Sequence, residues 1–453
     1  MPLLITACVA FVTFLQGQST ANPAPGDPAA RARAILASFT AKDFSKIEAQ
    51  FDDKMKGALP PGRLEALWAT LQGQAGAFKG CSADSRIRTI ADKTMVITAC
   101  DFERAKVDAQ IAFDESGRIT GLAFRPAGGG AADTPYALPS YANSSAYAEE
   151  DLTIGSSEWA LPGTLAMPAG AGPFPAVILV HGSGPNDRDE TIGANKPFKD
   201  LASGLASRGI AVLRYDKRTR THAARAAAIP GLTVKEEVID DVLEAAKVLR
   251  SHPKIDPARV FVLGHSLGGM LIPRIAAADP KFAGFVVMAG AARPMEDAIV
   301  AQTTYLANAD GAVSPEEQKG IDDAVKVAAD VKALTPEDAR TGKTIFGVPA
   351  AYWIDLRGYD PPSAAKAIVA PMLVLQGERD YQVTMEEFAR WKGSLGSRRD
   401  VTFHSYPALN HLFIAGTGPS RPAEYQVAGH VDEAVIRDIA AWVLGGLGVR
   451  SAK

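Results

Sequence analysis

Phe261-Val262-Leu263-Gly264-His265-Ser266-Leu267-Gly268-Gly269 is the stretch that decides the fold. Its apolar start, from Val260 to Leu263, suits a strand buried on both faces, as strands of a parallel sheet are. Met270-Leu271-Ile272 with Ile275-Ala276 then gives the spacing of a helix packed by one side. Between the two, Gly264 and Gly268 leave no Cβ where strand and helix approach each other. The turn can therefore be sharp enough to hold the Ser266 hydroxyl open and strained above the sheet. A serine held that way is poised as a nucleophile. A serine at a merely structural turn is the competing explanation, and the rest of the chain decides between them.

A nucleophilic serine needs a base, a group to orient the base, and donors for the negative oxygen that forms on attack. Pro371-Met372-Leu373-Val374-Leu375-Gln376 reads as a second buried strand, ending in Gly377-Glu378-Arg379-Asp380. An acid just past a strand's carboxyl end sits at the rim of a parallel sheet, where such sites are built. Glu378 competes with Asp380 there, and the position two residues further on reaches an imidazole more naturally. Val401-Thr402-Phe403-His404-Ser405-Tyr406 is a short strand followed by the turn Pro407-Ala408-Leu409-Asn410-His411, which puts His411 on a loop beyond it. Of the other histidines, His265 points away from its serine neighbour, His181 braces a glycine loop and His404 lies in a strand. His222, His252 and His430 fall outside the order serine, acid, histidine. The oxyanion donors expected are the backbone N–H of Leu267 and one from the loop after Ala176-Val177-Ile178-Leu179-Val180, at Gly182 or Ser183.

With these residues in place, the chain from about Tyr147 onward resembles bacterial α/β-hydrolases of the secreted carboxylesterase kind, near the dienelactone-hydrolase and serine-aminopeptidase-like branches. Five collinear runs carry the resemblance: His181-Gly-Ser-Gly-Pro185 with Asp187-Arg188-Asp189-Glu190, Arg214-Tyr215-Asp216-Lys217-Arg218, Gly264 to Gly269, Gly377 to Val383, and Leu409-Asn-His-Leu-Phe413. The resemblance implies a mostly parallel sheet with a helical lid, and ester hydrolysis through an acyl-enzyme without metal or organic cofactor. A small-molecule ester is the substrate class it implies. Peptidase and thioesterase chemistry on the same fold are the alternatives, and a non-catalytic binding protein is a weaker one because every triad residue is present.

The composition agrees with a globular enzyme. The chain has 453 residues, more than one ordinary domain, and is 47% hydrophobic and 22% charged with a formal net charge of −3. It carries no basic stripe, no zinc-like Cys/His spacing and no glycine loop followed by Lys-Ser/Thr, so nucleic acid and nucleotide are poor partners. Leu3 to Leu15 is an apolar run too short to span a bilayer, followed by small residues at Ser19 and Ala21. Residues 1–21 are therefore expected to be a signal peptide, giving a periplasmic or secreted protein with no membrane span in its mature chain. The n-region lacks Lys and Arg, which leaves a buried helix or a misplaced start as alternatives, and Cys8 mimics a lipoprotein box in the wrong setting.

Residues 28–125 read as a small α+β domain. Ile35, Leu36, Phe39, Phe44, Ile47 and Phe51 have helical spacing between Ala29 and Met55, and a second helix is expected from Arg63 to Gln74. Strands are expected around 85–90, 94–102, 106–113 and 118–124, a pattern that resembles the cone-shaped nuclear-transport-factor-like fold. No catalytic constellation precedes residue 150, so an accessory role is expected. Cys81 and Cys100 flank the first hairpin. In a reducing compartment they would be two free thiols, but in the exported protein they are expected to form a disulfide, a pairing that requires a bulge or irregular entry at Cys81. Residues 126–147 read as a linker, and 148–453 as the catalytic domain. Within it, two long helical patterns, Met295 to Ala309 and Pro315 to Leu334, exceed what a crossover requires. They are expected to form a lid over about 295–350. Tyr305, Phe346, Tyr352 and Trp353 are candidates to line an acyl or alcohol pocket, or else to pack lid against core.

Overall fold

The structure, a computed structural model, describes residues 27–59, 61–90, 93–103, 105–126, 136–155, 157–229 and 231–445. The expected signal peptide and the glycine-rich part of the expected linker, 127–135, lie outside the described residues. The chain divides into two compact units between residues 133 and 134.

In the first unit the strands Phe78–Ile90, Lys93–Phe102, Lys106–Phe113 and Ile119–Pro126 form an antiparallel meander in chain order. The apolar spacing from Ala29 to Met55 becomes three helices rather than one: Pro28–Thr40, Phe44–Glu48 and Asp53–Ala58. Lys42 takes a left-handed φ of 56°, and the carboxylates of Asp43 and Asp52 cap the second and third helices by accepting from the N–H of Lys46 and Met55. Capping at both points outweighs the apolar periodicity. Trp68, on the helix Arg63–Ala75, packs its ring 4.7 Å from Phe39 and 5.7 Å from Phe102, which closes this unit's own core. Cys81 and Cys100 are register partners and are joined as a disulfide. The first strand is irregular between Cys81 and Ser85, which lets the two cysteines face each other across a hairpin whose turn alone would not align them. Closing a loop of that length contributes roughly 3 kcal/mol by restricting the unfolded chain.

The second unit is an eight-stranded sheet. In spatial order the strands are Val401–Tyr406, Met372–Gly377, Gly284–Met288, Ile255–His265, Phe174–Val180, Ala211–Tyr215, Leu161–Pro168 and Tyr147–Ile154. Neighbours pair in parallel except around Leu161–Pro168, which runs antiparallel to both its neighbours. Successive residues of a strand face opposite sides, so Ile178 and Val262 enter one core and Val177, Leu179, Phe261 and Leu263 the other. The helices Asp240–Ser251 and Met385–Leu395 cover the first face, and Pro197–Ala206 and Glu433–Gly445 the second. This is the α/β-hydrolase fold. Burial on both faces explains why its central strands are continuous apolar runs.

The carboxyl ends of the parallel strands all lie at one edge of the sheet. From neighbouring strands that edge carries the loops beginning at His181, Ser266, Gly290 and Glu378 and the turn leading to His411. Between the strands Gly284–Met288 and Met372–Gly377 the chain inserts the helices Met295–Ala307, Pro315–Lys332 and Pro336–Arg340, a short hairpin of Thr344–Ile345 with Val348–Pro349, and the helix Ala350–Leu356. Among the described residues no helix is long and apolar enough to cross a membrane.

Candidate active site

Ser266 stands between the strand Ile255–His265 and the helical turn Leu267–Met270 with φ 54° and ψ −113°. A residue with a side chain held in that region costs roughly 1–3 kcal/mol, so the surroundings must enforce it. They do so through the two flanking glycines. A Cβ on Gly264 would lie 2.2 Å from Gly268 O, and one on Gly268 would lie 2.3 Å from Val180 O. Nothing larger than hydrogen fits at either position. The Ser266 N–H donates to Met288 O at 3.0 Å, tying the turn to the neighbouring strand. Leu267 opens the helix, so its own N–H has no intrahelical carbonyl to reach.

Asp380 and His411 come together from two other loops. His411 Nδ1 donates to Asp380 Oδ2 at 2.6 Å, and both side chains are almost fully buried. The remaining valences of the carboxylate are filled: Oδ1 accepts from the N–H of Gln382 at 2.8 Å and of Val383 at 3.0 Å, and Oδ2 also accepts from Gln376 Nε2 at 3.2 Å. A proton on Nδ1 leaves Nε2 as the basic nitrogen of the ring. Asn410 shapes this loop, its Oδ1 accepting from the N–H of Leu412 and Ile414. Glu378, the rival acid, instead accepts from the Ser405 hydroxyl at 2.8 Å in an exposed position.

The glycine loop differs from the sequence expectation. The Gly182 N–H is already donated to Glu190 Oε1 at 2.6 Å, so it is committed within the protein. His265 precedes Ser266, with Nδ1 2.9 Å from Glu190 Oε2 and Nε2 donating to His411 O at 3.0 Å. Burial alone would lower the His265 pKa, but the Glu190 carboxylate outweighs it and raises it. Burial would likewise raise Glu190, but the charge of His265 and the Gly182 N–H hold it below its ordinary value.

His181 shows the opposite balance. It is buried between the rings of Phe198 and Tyr215, its Nε2 donates to Asp187 O at 3.0 Å, and burial pushes its pKa down to about 4 from the ordinary 6.5. A group depressed in the folded state supports stability above its unfolded pKa, and that support is lost as pH falls through 6.5 toward 4. Between pH 7 and 4.5 the loss should be about 2 kcal/mol. In urea titrations, the stability advantage of the unmodified protein over His181→Gln should change by about that amount across this range, to the variant's benefit in acid. A gap that stays constant between the two pH values would show that His181 is not buried neutral.

The lid candidates separate into two kinds. Tyr305, on the helix Met295–Ala307, stacks on Tyr381 with centroids 5.3 Å apart and 14° between planes, and its hydroxyl donates to Ser420 O. Tyr381 follows the acid and packs with Leu412, which follows the histidine, and with Tyr425, Ile192 and Leu306. Tyr352 and Trp353 are core residues and not pocket wall. The Tyr352 hydroxyl donates to Glu237 Oε2 at 2.6 Å from a buried position, and Trp353 packs with Val331, Leu334 and Ala350 while its Nε1 donates to Ile345 O. Adjacent on one helix, the two side chains enter different clusters, Tyr352 the main core and Trp353 one formed within the insertion. Phe346 is about half exposed on the short hairpin. A separate cleft of about 500 Å³, bordered by Tyr359, Asp360, Pro362 and Arg390, shares no residue with the loops of Ser266, Asp380 and His411.

Residues 173–416 match the family model described as "Serine aminopeptidase, S33". Along its length the chain is 40% identical over 405 residues to esterase EstD of Thermotoga maritima, covering 89% of this chain and 92% of that one. The chain belongs to this α/β-hydrolase family. It is a hydrolase, and its first unit, over residues 32–122, matches a family of unknown function (DUF3887). Solved structures similar to it include the esterase of Pyrobaculum calidifontis, with TM-score 0.43 and 17% identity over 66% of this chain and 85% of that one. Est1E from Butyrivibrio proteoclasticus has TM-score 0.41 and 15% identity over 65% of this chain and 99% of that one.

Four residues that bond to these loops or to each other were not singled out from sequence: Glu190, Lys217, Glu237 and Gln376. Glu190, Lys217 and Gln376 stand in a run matching the family or at a strand end and Glu237 on the helical segment Lys235–Ile239, but which atom each would hold depends on distant loops.

Proposed function

We propose that the protein hydrolyses small carboxylic esters through an acyl-enzyme on Ser266. The observation that carries this reading is the strained serine at the sheet's carboxyl edge with the 2.6 Å His411–Asp380 pair reaching the same edge from adjacent strands. In this mechanism His411 Nε2 takes the proton from Ser266 Oγ as the oxygen attacks the ester carbonyl. Asp380 holds the imidazolium that forms. The N–H groups of Leu267 and Ser183 receive the oxyanion, His411 returns the proton to the departing alcohol, and a water then repeats the sequence to free the acid. Tyr305 and its stacked partner Tyr381 stand beside the acid and base loops, where they would limit the acyl or alcohol group. The full-length likeness to an esterase favours esters over peptides, although the family model is described by a peptidase. Export completes the proposal, because a disulfide in the first unit suits an oxidising compartment.

One preparation tests both parts. Protein recovered from the periplasm of an expressing bacterium should cleave p-nitrophenyl esters, with a preferred chain length, far faster than aminoacyl-p-nitroanilides or acyl-CoA, and its two thiols should resist alkylation until reduced. Faster anilide cleavage would move the activity to peptidase. Thiols alkylated without reductant, or protein confined to the cytoplasm, would remove the export proposal.

A further inference from the structure

Gly182 stands against the nucleophile: a methyl group on its Cα would lie 3.2 Å from Ser266 Cβ and 3.7 Å from Oγ. Both of its backbone polar groups are held by buried charged side chains. Its N–H donates to Glu190 Oε1 at 2.6 Å, and its C=O accepts from Lys217 Nζ at 3.0 Å and from Asn186 Nδ2 at 3.2 Å. Each of the two charged residues belongs to its own ion pair. Glu190 faces His265 at 2.9 Å, and Lys217 faces Glu237 Oε1 at 2.7 Å, whose other oxygen accepts from the Tyr352 hydroxyl. The four ionisable side chains are between 1% and 8% exposed.

Burying these ionisable side chains is unfavourable, and apolar residues of the same volume would often stabilise the core as well or better. What apolar residues could not do is fix one peptide. The Gly182–Ser183 peptide is planar and trans, so its N–H points opposite to its C=O, and anchoring the carbonyl sets the direction of the Ser183 N–H. A cation on the carbonyl also polarises the amide and makes that N–H a stronger donor. The Glu190–His265 pair extends this order to the loop of the base, since His265 Nε2 donates to the His411 carbonyl.

We propose that Lys217 and Glu190 are positioning residues of the oxyanion hole, holding the two sides of Gly182 so that the Ser183 N–H is aimed at the oxygen on which negative charge develops. This rests on the acyl-enzyme reading of Ser266. It makes Glu237 and Tyr352 the outer supports of Lys217, and gives a role to two ion pairs that the proton-transfer steps do not use.

The test compares the full chain with Lys217→Met, Glu190→Gln and Tyr352→Phe. One substrate, p-nitrophenyl butyrate, supplies kcat and KM. One inhibitor, a trifluoromethyl ketone with the same acyl chain, adds to a nucleophilic serine to give a tetrahedral oxyanion. Lys217→Met and Glu190→Gln should each lower kcat about a hundredfold with KM within about threefold, the size expected for a lost oxyanion donor. Affinity for the ketone should fall by the same factor. Tyr352→Phe, which keeps the shape and removes one hydroxyl, should lower both quantities several-fold, and it decides the matter if the charge-removing variants do not fold. Folded variants with kcat and ketone affinity like the parent, or a fall in kcat with ketone affinity unchanged, would overturn the positioning role. A parent protein that forms no ketone adduct and takes no phosphonate label on Ser266 would instead remove the acyl-enzyme reading beneath it.

Discussion

Ser266→Ala should lower ester turnover by about 10⁶-fold while leaving the fold unchanged, because in triad enzymes loss of the nucleophile alone removes nearly all the chemistry of the unit. The substitution is small, and the backbone strain stays where it was: φ 54° is imposed by Gly264, Gly268 and the bond from Ser266 N–H to Met288 O, none of which involves the hydroxyl. An alanine there should therefore be tolerated, with the unfolding midpoint within a few degrees of the parent. Active-site labelling is the direct measurement. A fluorophosphonate should modify the unmodified protein once per chain, on the peptide containing Ser266, and should leave Ser266→Ala unmodified. Label retained by the variant, or found on Ser183, which is exposed in the neighbouring loop, would place the nucleophile elsewhere.

The fold was legible where local chemistry and tertiary packing make the same demand. The strand ending at His265 is apolar on both faces because helices cover both faces, and its glycines are needed for space as well as for the turn. In the first unit the two demands diverged. Phe39, Phe44 and Phe51 keep a helical rhythm and all enter one core, yet Lys42, Asp43 and Asp52 cut the segment into three helices that reach it from different directions. A periodic pattern reports which side chains are buried, not how many elements bury them.

The site shows the same division. Ser266, Asp380 and His411 each follow a recognisable strand, so their arrival at one edge follows from parallel topology. The partners of Gly182 do not. Lys217 follows the strand Ala211–Tyr215, Glu237 and Tyr352 lie on separate helical segments, and only the folded chain shows that they form one line of hydrogen bonds and ion pairs ending at the glycine carbonyl. Tyr352 and Trp353 carry a related lesson. Aromatic residues in an insertion signal burial, and here Tyr352 is buried in the main core and Trp353 within the insertion itself, whereas Tyr305 packs beside the loops of Asp380 and His411.

His411→Ala should approach the effect of removing the serine, and Asp380→Asn should lower kcat by about 10⁴-fold with KM little changed. The two differ for a structural reason. Without the imidazole there is no group to take the hydroxyl proton. With asparagine at 380 the ring remains, but its partner no longer carries the charge that favours a proton on Nδ1 and stabilises the imidazolium. The asparagine nitrogen would also meet either the Gln382 and Val383 N–H groups, which now donate to Oδ1, or His411 Nδ1 itself. Two like donors cannot pair, so the side chain will turn its oxygen to the two backbone N–H groups and present its amide to Nδ1. The ring is then driven to the tautomer with the proton on Nε2, the nitrogen that must be free to accept one. Glu378→Gln is the control that separates this account from its rival. Among the described residues its carboxylate holds the Ser405 hydroxyl at the exposed end of the strand, so kcat should stay within about twofold of the parent. Should Glu378→Gln prove as damaging as Asp380→Asn, the orienting acid would be Glu378, and the buried 2.6 Å contact between Asp380 and His411 would be a structural hydrogen bond with no part in proton transfer.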